Sequence, residues 1–94
     1  MMKYELTNNE HNRQYEFHIG GLVPKIEYIR AGEKIYLTHT EVPAELKGKG
    51  VGSSLVNQVL EDIQQKGLKL VPHCPFVISY LKRHPEWDSL VFKD

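Results

Sequence analysis

The sequence predicts an α/β fold on one mixed sheet, with elements in the order β-β-β-α-β-α and a short last strand near the end. Three observations carry this prediction. Residues 14–42 hold three runs with alternating apolar and polar side chains, separated by glycine turns. Residues 51–63 switch to helical spacing. A short apolar run, LKLV at 68–71, follows that helix and precedes a second helical pattern.

The elements follow in order. TNNEHNR, residues 7–13, is polar throughout and reads as a loop. Tyr15, Phe17 and Ile19 alternate with Glu16 and His18, which makes 14–19 a strand. Gly20-Gly21 is a turn. VPKIEYIR at 23–30 and KIYLTHTEV at 34–42 form a hairpin around Ala31-Gly32-Glu33. Pro43 ends the third strand. Val51, Leu55, Val56, Val59, Leu60 and Ile63 mark one helix face, and Lys66-Gly67 closes that helix with a cation and a C-cap glycine. Strand, helix and strand in succession imply a right-handed crossover, hence a parallel pair of the third strand with 68–71. Phe76, Val77, Tyr80, Leu81 and His84 are spaced for a second helix over 75–84, which Pro85 stops. Leu90 to Phe92 reads as the last edge strand.

Size and composition narrow the function. The chain has 94 residues, which predicts one domain over 1–94 with one modest core. Lys+Arg is 12 and Asp+Glu is 12, so net charge gives no basis for bulk electrostatic binding of nucleic acid. No apolar run approaches the roughly 18 residues that span a bilayer, and the first ten residues hold no signal-like apolar core. The one cysteine, Cys74, makes no internal disulfide, which fits a cytoplasmic location. The hairpin edge leaves a monomer or a weak dimer as the expected state.

The most informative stretch joins the third strand to the first helix. Gly48, Gly50 and Gly52 occupy every second position. A glycine-rich turn that opens a helix is a phosphate-binding device, because the first N–H groups point outward and the dipole favours an anion. Lys47 and Lys49 add positive charge, and Ser53 and Ser54 add hydroxyls. The P-loop pattern GxxxxGK[ST] is absent, and so is GxGxxG, whose last position falls on Ser53 or Leu55 here. A strand-to-helix loop whose glycines serve packing is the alternative.

The string KGKGVGSSLV resembles a third device, the pyrophosphate loop of the GNAT superfamily of acyl-CoA-dependent N-acyltransferases. Their pattern is Gln/Arg-x-x-Gly-x-Gly/Ala, with Lys47 standing here for Gln/Arg and Gly50 and Gly52 as the glycines. Four motifs of a small subgroup of about this length occur in order: HTEVP at 39–43, GxGxG at 48–52, PHCPFV at 72–77 and HPEW at 84–87. The resemblance spans about 15–87. It implies a minimal GNAT-like sheet that lacks the extra N-terminal helices, with Gly20-Gly21 in their place and an open acceptor side.

The resemblance further implies acetyl-CoA as cosubstrate and an amine as acceptor. Pantetheine would run along Thr40, Glu41 and Val42. The pyrophosphate would meet the backbone of Lys47, Gly48, Lys49, Gly50, Val51, Gly52 and Ser53. Lys82 and Arg83 would approach the nucleotide end, or form an ordinary solvated basic face. A binding module for CoA with little or no catalysis is the rival reading, and binding of another phosphorylated ligand is a third.

Three groups are candidates for the chemistry. Cys74 precedes Pro75, a first-turn residue, so its thiol sits at the helix N-cap, where the dipole favours the thiolate. In the resembling subgroup this cysteine lies near the thioester, as an acyl carrier or a pocket wall; a buried inert cysteine is the alternative. Tyr80 is either a proton donor to the leaving thiolate, as in many family members, or a core tyrosine. His39 and Glu41 share one face near the end of the third strand and could relay a proton from the amine; a structural histidine is the alternative. No metal site is expected, since His73, Cys74 and His84 lack a ligand spacing.

Overall fold

The computed structural model describes residues 3–93; Met1, Met2 and Asp94 of the expected domain lie outside the described residues. One sheet contains β1 (Thr7–Asn9), β2 (Gln14–Glu16), β3 (Lys25–Ala31), β4 (Lys34–Glu41) and β5 (Lys69–Pro72), in that spatial order. The pairs from β1 to β4 are antiparallel, and β4 with β5 is parallel. Helix α1 (Val51–Gln65) connects β4 to β5, as a parallel pair requires. Helix α2 (Pro75–Arg83) follows β5.

β1 corrects the loop expected at 7–13. Its residues are polar because they are held by hydrogen bonds rather than by burial of apolar surface. Tyr28 donates its hydroxyl to Asn8 Oδ1 at 2.6 Å, and Asn9 donates Nδ2–H to Glu16 Oε2 at 3.0 Å. The turn to β2 puts Arg13 at φ 53°, a conformation that side chains seldom adopt. The strand expected at 14–19 is shorter, yet its ladder resumes after a gap. Phe17 N–H bonds Pro24 O, and Ile19 and Leu22 exchange two bonds at 2.9 Å around Gly20-Gly21.

Helix α1 is held by packing. Val51, Leu55, Val56, Val59, Leu60 and Ile63 are buried, each contributing about 1.5–3 kcal/mol relative to exposure. They meet Tyr15, Ile26, Tyr28, Ile35, Leu37 and Leu70 of the sheet in one core, which Val77 and Tyr80 of α2 complete. The helix ends as expected. Gly67 turns left-handed at φ 70°, and Leu68 N–H reaches back to Ile63 O at 3.2 Å. Tyr15 ties the sheet to α1 by donating its hydroxyl to Asp62 Oδ2 at 2.7 Å, where Lys66 also pairs at 2.7 Å.

The end of the chain differs from the expected strand at 90–92. Pro85–Leu90 is a 3-10 helix, and Leu70↔Val91 is an isolated parallel bridge with Phe92 N–H on Leu70 O at 2.8 Å. The 3-10 helix runs to Leu90, so the contact with the β5 edge is made by Val91 and Phe92 instead of a strand over 90–92. No helix among the described residues is long and apolar enough to cross a membrane.

A bulge interrupts β3 and β4. Glu27 pairs with His39, but Tyr28 pairs with Leu37, so Thr38 has no opposite number; its hydroxyl donates to Glu27 O at 3.2 Å. The extra residue reverses the alternation of faces. Ile35 and Leu37 face the core before it. Beyond it Thr40 shares the inner face with buried Ile26, and His39 and Glu41 take the outer face with Glu27.

Candidate active site

The cleft begins at one carbonyl. Parallel pairing ends at Leu37↔Pro72. The N–H groups of His73 and Cys74 then both donate to Leu37 O, each at 3.0 Å. This double bond to one acceptor turns the chain off the sheet, while β4 continues to Glu41. The two strands part, and α2 starts at Pro75 with Cys74 as its N-cap.

A cavity of about 570 Å³ lies by the end of β4. Residues 40–42, Leu46, residues 47–53 other than Lys49, and Phe76 line it. Thus Thr40, Glu41, Val42, Lys47, Gly48, Gly50, Val51, Gly52 and Ser53 face one space, and Lys49 is exposed outside it.

The three glycines do different work. Gly48 and Gly50 have φ 78° and 76°, where a side chain would be strained, so the loop shape itself requires them. Gly50 is also the N-cap of α1. Gly52 has ordinary helical φ; a Cβ there would come 2.6 Å from Phe76 Cζ. Its glycine admits a ring. In the first turn the N–H groups of Val51, Gly52 and Ser53 meet no backbone acceptor among the described residues, and no acidic side chain occupies that turn. With Lys47 beside them, these donors suit an anion.

Cys74 is buried, at 4% exposure, with Sγ 3.1 Å from Thr40 Oγ1 across the gap between the strands. The reversal at Thr38 is what aims Thr40 inward to that thiol. On the outer face His39 Nε2 lies 3.2 Å from Glu41 Oε2, and both side chains are more than half exposed. Lys25 Nζ bridges Glu27 at 3.1 Å and Glu41 at 3.8 Å.

Tyr80 is buried between the helices and donates its hydroxyl to Asn57 Oδ1 at 3.1 Å. Burial pushes its phenol above the usual tyrosine range. His84 stacks on the ring at 4.1 Å. Tyr80, His39 and Cys74 do not line the cavity; Cys74 adjoins it only through its contact with Thr40, which does. Lys82 borders a separate hollow with Leu81 and Pro85, and Arg83 donates to Ser79 Oγ at 3.0 Å.

The only residues with ligand atoms close enough to share a metal, among the described ones, are Glu27, His39 and Glu41, within 4.8 Å. The Lys25 ammonium already compensates these carboxylates.

Leu46 and Phe76 line the cavity without having been singled out from the sequence. Leu46 sits in a 3-10 turn at Ala44–Leu46. Phe76 follows the helical spacing of Val77 and Tyr80, so a face pattern assigns it to the core, yet it is 40% exposed. Its position directly after the N1 proline was the available signal, since the first turn of a helix opens to whatever lies at its N-terminus.

The sheet, the parting strands and the glycine turn define an acyltransferase-type fold. A family model described as GCN5-related N-acetyl-transferase matches residues 14–90, and the chain belongs to that family. Its members generally use acetyl-CoA. Protein NATD1 of Gallus gallus is 26% identical over 84 residues, 86% of this chain and 76% of that protein. Protein NATD1 of Mus musculus is 27% identical over 83 residues, 85% of this chain and 76% of its own length. The solution structure of a GCN5-like protein from Staphylococcus aureus superposes with a TM-score of 0.73, at 24% identity, over all of this chain and 93% of that one. That likeness extends to the fold.

Proposed function

We propose that this chain transfers an acetyl group from acetyl-CoA to an amine. The observation that carries the reading is one cavity lined both by the strand end at residues 40–42 and by the glycine turn and first turn of α1, whose N–H groups meet no backbone acceptor among the described residues. Residues 40–42 offer backbone to the pantetheine amides. The first turn of α1, with Lys47, holds the diphosphate. The cavity's volume falls in the range usual for small-molecule sites, and apolar Val42, Leu46 and Phe76 and cationic Lys47 are among the residues that line it, which supports the reading.

Cys74 and Thr40 stand on the thioester side in this reading, and His39 with Glu41 on the acceptor side. An amine reaches the site as an ammonium and must lose a proton to attack. The His39–Glu41 pair takes that proton, through water. The amine nitrogen then bonds the acyl carbon, the carbon–sulfur bond breaks, and the Thr40–Cys74 pair gives a proton to the departing sulfur. The second proton of the attacking nitrogen passes through water to restore the Thr40–Cys74 pair, and the proton taken by the His39–Glu41 pair leaves to solvent, so the balance closes. Tyr80 keeps the packing role that its bond to Asn57 gives it.

Calorimetric titration with acetyl-CoA, with ATP and NAD as controls, tests the cosubstrate. Micromolar binding of acetyl-CoA that neither control matches is expected; no heat at millimolar ligand would remove the reading. An amine panel then tests transfer. Cys74→Ala is expected to bind acetyl-CoA and lose turnover, and intact mass would reveal an acetyl group if Cys74 carries one. Wild-type protein that binds acetyl-CoA yet acetylates no amine would favour a CoA-binding module.

A further inference from the structure

We propose that Phe76 makes the cavity discriminate for a diphosphate that carries a long flexible arm, and against a bare nucleotide, by laying its ring along that arm. This rests on the acyl-CoA reading above.

Phe76 is the one α2 residue in the cavity wall. It stands two residues after Cys74, and its ring lies against Gly52 in the first turn of α1. It therefore shares one cavity wall with the strand end at residues 40–42 and with the anion-binding N–H groups of α1. A ligand that runs from that strand end to those N–H groups lies against the same wall. Its exposure of 40% contrasts with 0% at Val77 and 1% at Tyr80, so the ring is not part of the core. One edge of the ring is covered by Gly52, and Phe76 is among the residues that line the cavity.

Chemistry decides what gains from that surface. The ring offers no hydrogen-bond donor, and its face is electronegative. Further phosphates gain nothing from it. Methylene and amide groups gain the burial of apolar area, with Val42 and Leu46 lining the same cavity. Gly52 fixes the arrangement, because the three heavy atoms nearest to an added Cβ all belong to this ring, at 2.6, 3.3 and 3.4 Å. A methyl group at residue 52 must displace it.

The test titrates wild type, Phe76→Ala, Phe76→Leu, Gly52→Ala and the Gly52→Ala/Phe76→Ala double variant with acetyl-CoA and with ADP, which has the diphosphate and no arm. Phe76→Ala is expected to weaken acetyl-CoA about tenfold and to leave ADP within about twofold. Phe76→Leu, which retains apolar volume, should recover most of the acetyl-CoA affinity. Gly52→Ala should weaken acetyl-CoA, and the double variant should bind no worse than Phe76→Ala alone, because the methyl acts through the ring. Unchanged acetyl-CoA binding in Phe76→Ala, equal losses for both ligands, or additive effects in the double variant would each overturn the assignment. Wild type that fails to bind acetyl-CoA would instead overturn the parent reading, and this one with it.

Discussion

Replacing Gly50 by alanine isolates the cost of the loop's backbone shape. Gly50 caps α1 at φ 76° and ψ 8°, in the left-handed region. An added Cβ meets nothing within 4 Å, so no collision contributes. What remains is conformational strain of about 1–2 kcal/mol for a side chain in that region. Alanine also narrows the unfolded ensemble, which offsets roughly 0.4–1 kcal/mol of that strain. The net expectation is a loss of about 1 kcal/mol. In a domain of this length it lowers Tm by about 4–8 °C, and the urea midpoint falls by about 1 M if m is near 1 kcal/mol/M. Urea unfolding followed by circular dichroism reads it directly. Gly50→Asn should cost less, because asparagine tolerates the left-handed region. Gly52→Ala supplies the contrast: its φ is ordinary, and only a half-exposed ring must swing away. Gly50→Ala that unfolds with wild type, or Gly50→Asn that costs as much as alanine, would refute the reasoning.

Further expectations follow from the same geometry. Thr40→Val removes the hydroxyl beside Cys74, and should lower stability by about 1 kcal/mol and slow amine acetylation more than it weakens acetyl-CoA binding; stopped-flow turnover with parallel calorimetry checks this. Burial would raise the Glu16 carboxyl, but hydrogen bonds from Gln14, Asn9 and His18 outweigh it and hold it below the usual range. Its contribution is therefore present above a free glutamate's pKa of about 4.3 and is lost as pH falls through the lower folded value. Glu16→Gln should be less stable at neutral pH by about 1.5–3 kcal/mol, with a flatter acid limb in urea titrations than wild type. Tyr80→Phe should lose about 1 kcal/mol of stability with its Asn57 bond and leave turnover unchanged. A fall in kcat without a fall in Tm would instead make Tyr80 a proton donor.

The order of elements from 14 to 84 was legible because each carries its own period. Alternation around Tyr15 and Ile26 and the 3.6 spacing from Val51 to Ile63 are local properties of the sequence. Strand β1 was not legible, because its stability comes from partners 7 and 20 residues away, Glu16 for Asn9 and Tyr28 for Asn8. The bulge at Thr38 was hidden for a similar reason. Nothing in LTHTE announces an extra residue, since a bulge exists only relative to the neighbouring strand. The glycine turn was legible as a unit, for Gly48 and Gly50 are demanded by backbone shape. The reason for Gly52 was not, since it depends on a ring 24 positions further on, and no period connects the two.

The vertex of the cleft has a consequence for how such a site can change. Leu37 O accepts from two consecutive main-chain donors, His73 and Cys74. Neither bond uses a side chain, so exchanges at His73, which is exposed, leave the vertex standing. Only proline there, or at Cys74, would delete a donor. Shape is thus inherited through the main chain, while selectivity resides in side chains such as Phe76 and Leu46. Substitution can retune the walls of the opening for a new ligand without first having to rebuild its hinge.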